Sequence, residues 1–185
     1  MEQVLSASTR EKIQAHLAKY PIARSAIMGA FWLAQEQLGY LPRQAIREVA
    51  ELIGLSEEQA LGVATFYTMY YLKPVGQYRI HLCATLPCAL RGAGQLYDLL
   101  VKRLGINAGE TTADGRFSLF KAECLGSCAT APAAMINDDY WENLDQERLN
   151  KIVDALAAGQ EPDLPKTLNR VGPGFTDGSG QKEAA

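Results

Sequence analysis

Along the first part of the chain, apolar residues recur every three or four positions, the spacing that gathers them on one face of a helix. Ile13 and Leu17 form such a pair, and Ser8 with Glu11 has capping-box spacing at the start of a first helix. Pro21 interrupts it. Ile27, Phe31 and Ala34 or Leu38 mark a second helix over residues 22–38, and Gly39 is placed to stop it. Pro42 then sits where a helix start tolerates a missing N–H, and Ile46, Val49 and Leu52–Ile53 carry a third helix to Gly54. A second capping box, Ser56 to Gln59, opens a fourth helix through Ala60, Val63 and Tyr67. Lys73-Pro74-Val75-Gly76 breaks the pattern. The pattern predicts a bundle of four helices over residues 1–75.

After Gly76 the period drops to two. Tyr78, Ile80 and Leu82 alternate with Arg79, His81 and Cys83, which predicts a strand. Residues 89–104 read as a helix closed by Gly105, and Asp114-Gly115 is a hairpin turn signal ahead of a strand over 116–122. A short strand over 133–136 turns at Asn137-Asp138-Asp139 into 140–144, and a last helix covers 146–158 with Leu149, Ile152, Val153 and Leu156 inward. The order β-α-β-β-α fits a thioredoxin-type α/β sandwich over 76–159, so the fold class is α+β: a helical bundle followed by an α/β domain. Residues 160–185, with prolines, glycines and few large apolar side chains, are expected to stay disordered unless a partner holds them.

Composition changes this picture little. The chain has 185 residues, 48% hydrophobic and 21% charged, as an ordinary globular protein does. A net charge of −3 with no Lys/Arg block gives no footprint for nucleic acid. No apolar run approaches the ~20 residues of a spanning helix, and the start MEQVLSASTREK lacks the features of a secretory signal or transit peptide. A cytoplasmic, reducing compartment is the expectation, and there four cysteines point to metal rather than to structural disulfides.

The cysteines fall into two pairs, Cys83-x4-Cys88 and Cys124-x3-Cys128, with 35 residues between the pairs. Each pair follows a predicted strand, so neighbouring strand ends would bring four thiolates around one site. A [2Fe–2S] rhomb needs this set, because each tetrahedral iron takes two thiolates beside two bridging sulfides. Its negative charge calls for close backbone N–H groups, which the small residues Ala84, Gly126, Ser127 and Ala129 permit, and for the positive end of the helix expected near Ala89. On spacing alone other readings stay open. A structural zinc site also uses four cysteines, although its knuckles favour C-x2-C. A redox disulfide would prefer C-x-x-C, and buried, unrelated thiols are a further reading.

The residues around these pairs add a resemblance. Cys83-Ala-Thr-Leu-Pro-Cys88 together with Glu123-Cys124-Leu-Gly-Ser-Cys128-Ala-Thr-Ala-Pro132 resembles the thioredoxin-like [2Fe–2S] ferredoxin family. Within it, the chain looks like the small iron–sulfur subunits of NADH:quinone oxidoreductase, respiratory complex I. Gly62-Val-Ala-Thr-Phe-Tyr67-Thr-Met-Tyr70 and Asn137-Asp138 fit the same pattern. The resemblance spans residues 8–158. It implies one [2Fe–2S] cluster held by Cys83, Cys88, Cys124 and Cys128, electron transfer without a catalytic site in this chain, and FMN and NAD on a neighbouring flavin- and NADH-binding subunit. It also implies a position peripheral to the inner membrane through the complex, with no insertion of this chain. Such a cluster lies near the flavin, off the main electron route. Related subunits serve NAD-dependent hydrogenases and formate dehydrogenases.

Other features carry less. Gly92-Ala93-Gly94 lacks the third glycine of a dinucleotide loop and is read as close packing. His81 as a Rieske-type ligand would need a second histidine nearby, and His16 belongs to the helical part. Phe66, Tyr67, Tyr70 and Tyr71 are read as core packing between the bundle and the α/β domain, with a partner-binding patch as the alternative. Glu123 is a solvated carboxylate or, if close to the cluster, one that lowers its potential; Arg91 would act in the opposite sense.

Overall fold

A computed structural model describes residues 3–166, and contacts divide the chain after Val75 into two compact units. The first is helical: α1 (Ala7–Leu17), α2 (Ile27–Leu38), α3 (Arg43–Ile53) and α4 (Glu57–Phe66). Their apolar stripes meet around Ile13, Phe31, Leu41, Ile46 and Val49, all fully buried. The second helix is shorter than its pattern predicts. Residues Ala23–Ala26 form a 3₁₀ turn, and the α-helical part begins only at Ile27.

The caps are partly those expected. At α4 the Ser56 side chain accepts from the Gln59 N–H and the Gln59 side chain accepts from the Ser56 N–H, a complete capping box. At α1 the cap is Ser6, not Ser8: the backbone is extended at Ser6, and its hydroxyl accepts from the Thr9 N–H. The helix therefore opens two residues earlier, where the N–H groups of Val4 and Leu5 find the Glu48 carboxylate on α3. Beyond α4 the chain is tied back to α2, since the Gln35 side chain accepts from the Tyr71 N–H and donates to the Met69 carbonyl.

The second unit is an α/β layer. Strands β1 (Tyr78–Cys83), β2 (Phe117–Ala122), β3 (Ala134–Ile136) and β4 (Asp139–Trp141) form one sheet in the order β2-β1-β3-β4. β1 and β2 are parallel, while β1–β3 and β3–β4 are antiparallel. The short β4 is the return expected after the turn at 137–139, and Asn137, at φ 54°, turns it back onto β3. The predicted helix over 89–104 is broken into α5 (Leu86–Leu90) and α6 (Ala93–Leu104). Gly92 stands between them at φ 97°, a left-handed conformation that no helix interior accepts.

Leu96 and Leu100 of α6 and Leu149, Ile152, Val153 and Leu156 of α7 (Gln146–Ala157) bury against Ile80, Leu82, Leu119 and Trp141 of the sheet. Residues 160–166, part of the segment expected to be disordered, fold back on this unit: Pro162 is buried, and the Glu142 N–H donates to the Lys166 carbonyl. Residues 167–185 lie outside the described ones. No described helix is long and apolar enough to cross a membrane.

Candidate metal centre

The parallel pairing of β1 with β2 builds the site. Parallel strands end on the same side, and the register sets Cys83, the last residue of β1, opposite Ala122, the last residue of β2. The chain continues from β1 through Thr85 into α5, which carries Cys88, and from β2 through Cys124 to Cys128, which opens a 3₁₀ turn. The segment entering β3 joins them, with the Cys83 N–H donating to the Ala133 carbonyl at 3.1 Å. Cys83 and Cys88 are buried with Ala93 and Ala131, and Leu125 packs against this group. Cys124 and Cys128 are exposed, and all four thiols are free.

Sulfur geometry suits paired ligation. The Sγ atoms of Cys124 and Cys128 are 3.8 Å apart. Two thiolates on one tetrahedral metal with bonds of ~2.3 Å stand about this far apart. Cys83 and Cys88 form a second, buried pair. No three His, Cys, Asp or Glu side chains among the described residues converge closely enough for a single ion. Negative charge on Cys83 opposes ionisation of Cys88, Cys124 and Cys128 alike, so the four thiols share one electrostatic neighbourhood.

Within each pair, one thiol is favoured as thiolate and the other disfavoured. Burial pushes Cys83 up, but hydrogen bonds from the Thr85 hydroxyl, the Leu125 and Thr85 N–H groups and Cys88 hold it below the ordinary thiol value. Burial, with Cys83 as neighbour, pushes Cys88 up to about 11. The Gly126 N–H, 3.4 Å from its sulfur, leads in lowering Cys124, and Cys128 is raised chiefly by Cys124. Backbone N–H groups aimed at sulfur are what a buried, negatively charged iron–sulfur cluster requires. Gly126, at φ 81°, supplies its N–H from a left-handed turn. The donor set and its surroundings fit a [2Fe–2S] cluster.

The sequence profile of the thioredoxin-like [2Fe–2S] ferredoxins matches residues 13–157. The chain belongs to that family. Curated relatives are similar over most of their length. The chain is 42% identical to an E-type subunit of the NADH-quinone oxidoreductase of Rhizobium meliloti, over 82% of this chain and 90% of that one. It is 47% identical to the E-type subunit of the NADH-quinone oxidoreductase of Rickettsia conorii, over 76% and 86%. The second subunit of the NADH-quinone oxidoreductase of Thermus thermophilus is 44% identical, over 80% and 85%. Among solved structures, an NAD+-reducing [NiFe]-hydrogenase in its air-oxidised state matches with a TM-score of 0.64 and 26% identity. That match covers 72% of this chain but only 23% of the hydrogenase chain. In this ferredoxin family the cofactor is a [2Fe–2S] cluster.

The remaining candidates separate from the site. The helix expected to start near Ala89 and aim its end at the site is instead α6, whose first residue Ala93 packs on Cys83 and Cys88. Gly92 serves the left-handed turn rather than close packing, and a Cβ on Gly94 would meet nothing within 4 Å. His81 stacks on Phe120 at 4.7 Å, and burial, with Arg79 nearby, lowers its proton affinity. Arg91 and Glu123 are exposed. Tyr70 is buried in the core of the helical unit, whereas Phe66 is 76% exposed. Sequence reasoning missed Thr85, whose only signal was its place two residues after a cysteine and ahead of Leu86-Pro87, where a helix cap is expected.

Proposed function

We propose that this chain is an electron-transfer subunit of an NADH:quinone oxidoreductase (complex I), carrying one [2Fe–2S] cluster on Cys83, Cys88, Cys124 and Cys128 beside a flavin- and NADH-binding subunit. The observation that carries the reading is the convergence of two cysteine pairs at one end of a parallel strand pair. The names of relatives at 42–47% identity supply the complex. A bound cluster of this type takes up and returns one electron. The chain's own contribution is to hold four sulfurs, to direct N–H groups at them and to bury Cys83 and Cys88 away from water. The catalytic steps on NADH belong to the flavin-bearing partner. The subunit is peripheral to the inner membrane on the cytoplasmic side, held there by its complex.

The hydrogenase match favours a second reading, an equivalent subunit in the NAD-reducing module of a hydrogenase. Formate dehydrogenase modules fall under the same alternative. One experiment addresses both. The tagged chain is isolated from its native cells, its iron and acid-labile sulfide are measured, and the copurifying proteins are identified. Two iron and two sulfide per chain, a spin-one-half signal after dithionite and quinone-reductase partners are expected. Zinc without sulfide would sink the cluster assignment, and hydrogenase partners would transfer the chain to the second reading.

A further inference from the structure

We infer that the Thr85 hydroxyl is a positioning residue for the iron–sulfur site, donating its hydrogen bond to the Cys83 sulfur and thereby raising the reduction potential. The inference rests on the cluster reading above. Thr85 occupies the N-cap position of α5, where a threonine hydroxyl ordinarily accepts from the N–H of the second or third helical residue. Here it makes no such bond. The second helical residue is Pro87, which has no N–H, and the third is Cys88 itself.

The hydroxyl turns instead to sulfur. Its Oγ1 is 3.3 Å from the Cys83 Sγ. Between a thiol and a hydroxyl either side can donate. Once the Cys83 sulfur binds iron it is a thiolate and accepts only, so Thr85 must be the donor. The other contacts that stabilise this sulfur as a thiolate come from the Leu125 and Thr85 N–H groups and from Cys88. Thr85 is the donor that a substitution can remove without touching backbone or ligand. A donor at ligand sulfur stabilises the reduced cluster, with its extra negative charge, more than the oxidised one.

The test compares Thr85→Val, which keeps the shape and loses the hydroxyl, with Thr85→Ser, which keeps the hydroxyl. The full chain is loaded with its cluster, and the potential is read by redox titration of the reduced-state spin signal. Thr85→Val is expected to shift the equilibrium about tenfold toward the oxidised form, about 59 mV downward for one electron, with Thr85→Ser close to the wild type. An unchanged potential in a fully loaded Thr85→Val chain overturns the inference. If Thr85→Val fails to load, the wild type and Thr85→Ser are exchanged into deuterium oxide and their cluster-coupled deuterons recorded. The hydroxyl deuteron is expected in both, and its absence overturns the inference. Iron and sulfide content of the wild type is measured first, so failure of the cluster reading itself is seen separately.

Discussion

Cys83 and Ala122 are register partners at the common end of two parallel strands, and this pairing brings the two cysteine-bearing loops to one end of the sheet. Cys124 lies two residues beyond Ala122, and its sulfur stands 3.8 Å from that of Cys128. The positions of the cysteine pairs and the strand register are one structural fact here.

Removing single thiols separates ligation from packing. Cys128→Ala and Cys88→Ala are each expected to abolish full cluster occupancy in iron and sulfide analysis. The exposed Cys128 leaves the unfolding midpoint of the cluster-free chain unchanged, whereas truncating the buried Cys88 costs it roughly 1 kcal/mol. A Cys128→Ala chain that keeps two iron and two sulfide would remove that residue from the ligand set.

The far end of the same strand pair depends on Gly76. Its N–H donates to the buried Ser118 hydroxyl at 2.7 Å, and a Cβ there would stand 2.7 Å from the Phe117 carbonyl carbon, which is backbone and cannot yield. Gly76→Ala is expected to cost about 2 kcal/mol or more through overpacking. Gly62, exposed within α4 and with nothing in reach of an added Cβ, serves as the contrast. Gly62→Ala should stabilise by about 0.5–1 kcal/mol through helix propensity. Urea unfolding of both variants measures the difference in sign.

Tyr70 offers an alkaline test. Its hydroxyl donates to the Met28 carbonyl at 2.9 Å, and burial, with Tyr67 beside it, raises its pKa to about 12. The folded value lies above the ordinary 10.0, so the contribution is complete below pH 10 and is lost as pH rises toward about 12. Tyr70→Phe should cost about 1 kcal/mol at neutral pH, and the gap to wild type should close across that window. A gap that stays constant between pH 10 and 12 would contradict the assignment.

Glu57 offers the acid counterpart. Hydrogen bonds from Arg47 and Arg43, both at 2.8 Å, bring its carboxyl down to about 2. A lowered folded value stabilises above the ordinary 4.5 and fades as pH falls toward about 2. Wild type should therefore exceed Glu57→Gln in thermal midpoint at neutral pH and converge with it below pH 4.5. Added salt should shrink the gap, because the pair is partly exposed.

Much of the fold was legible because its causes are local. The Ser56–Gln59 capping box and the alternation of β1 act within a few residues. The errors lie where local signals compete. Ser6 and Ser8 are both plausible caps for α1, and the Glu48 carboxylate on another helix favours the earlier start. The apolar pattern over 89–104 runs on without a visible break, although Gly92 adopts a left-handed conformation there.

By itself, the sequence determined the helical and strand periods and the family, since these follow from residue identity and short-range spacing. Tertiary structure decided that β1 and β2 are parallel, that pairs 35 residues apart share one end of the sheet, and that Thr85 serves sulfur instead of capping its helix. The reason is physical. Burial of Leu96, Leu100, Leu149 and Ile152 against the sheet is non-directional and long-range, and it selects a strand pairing that no local pattern encodes.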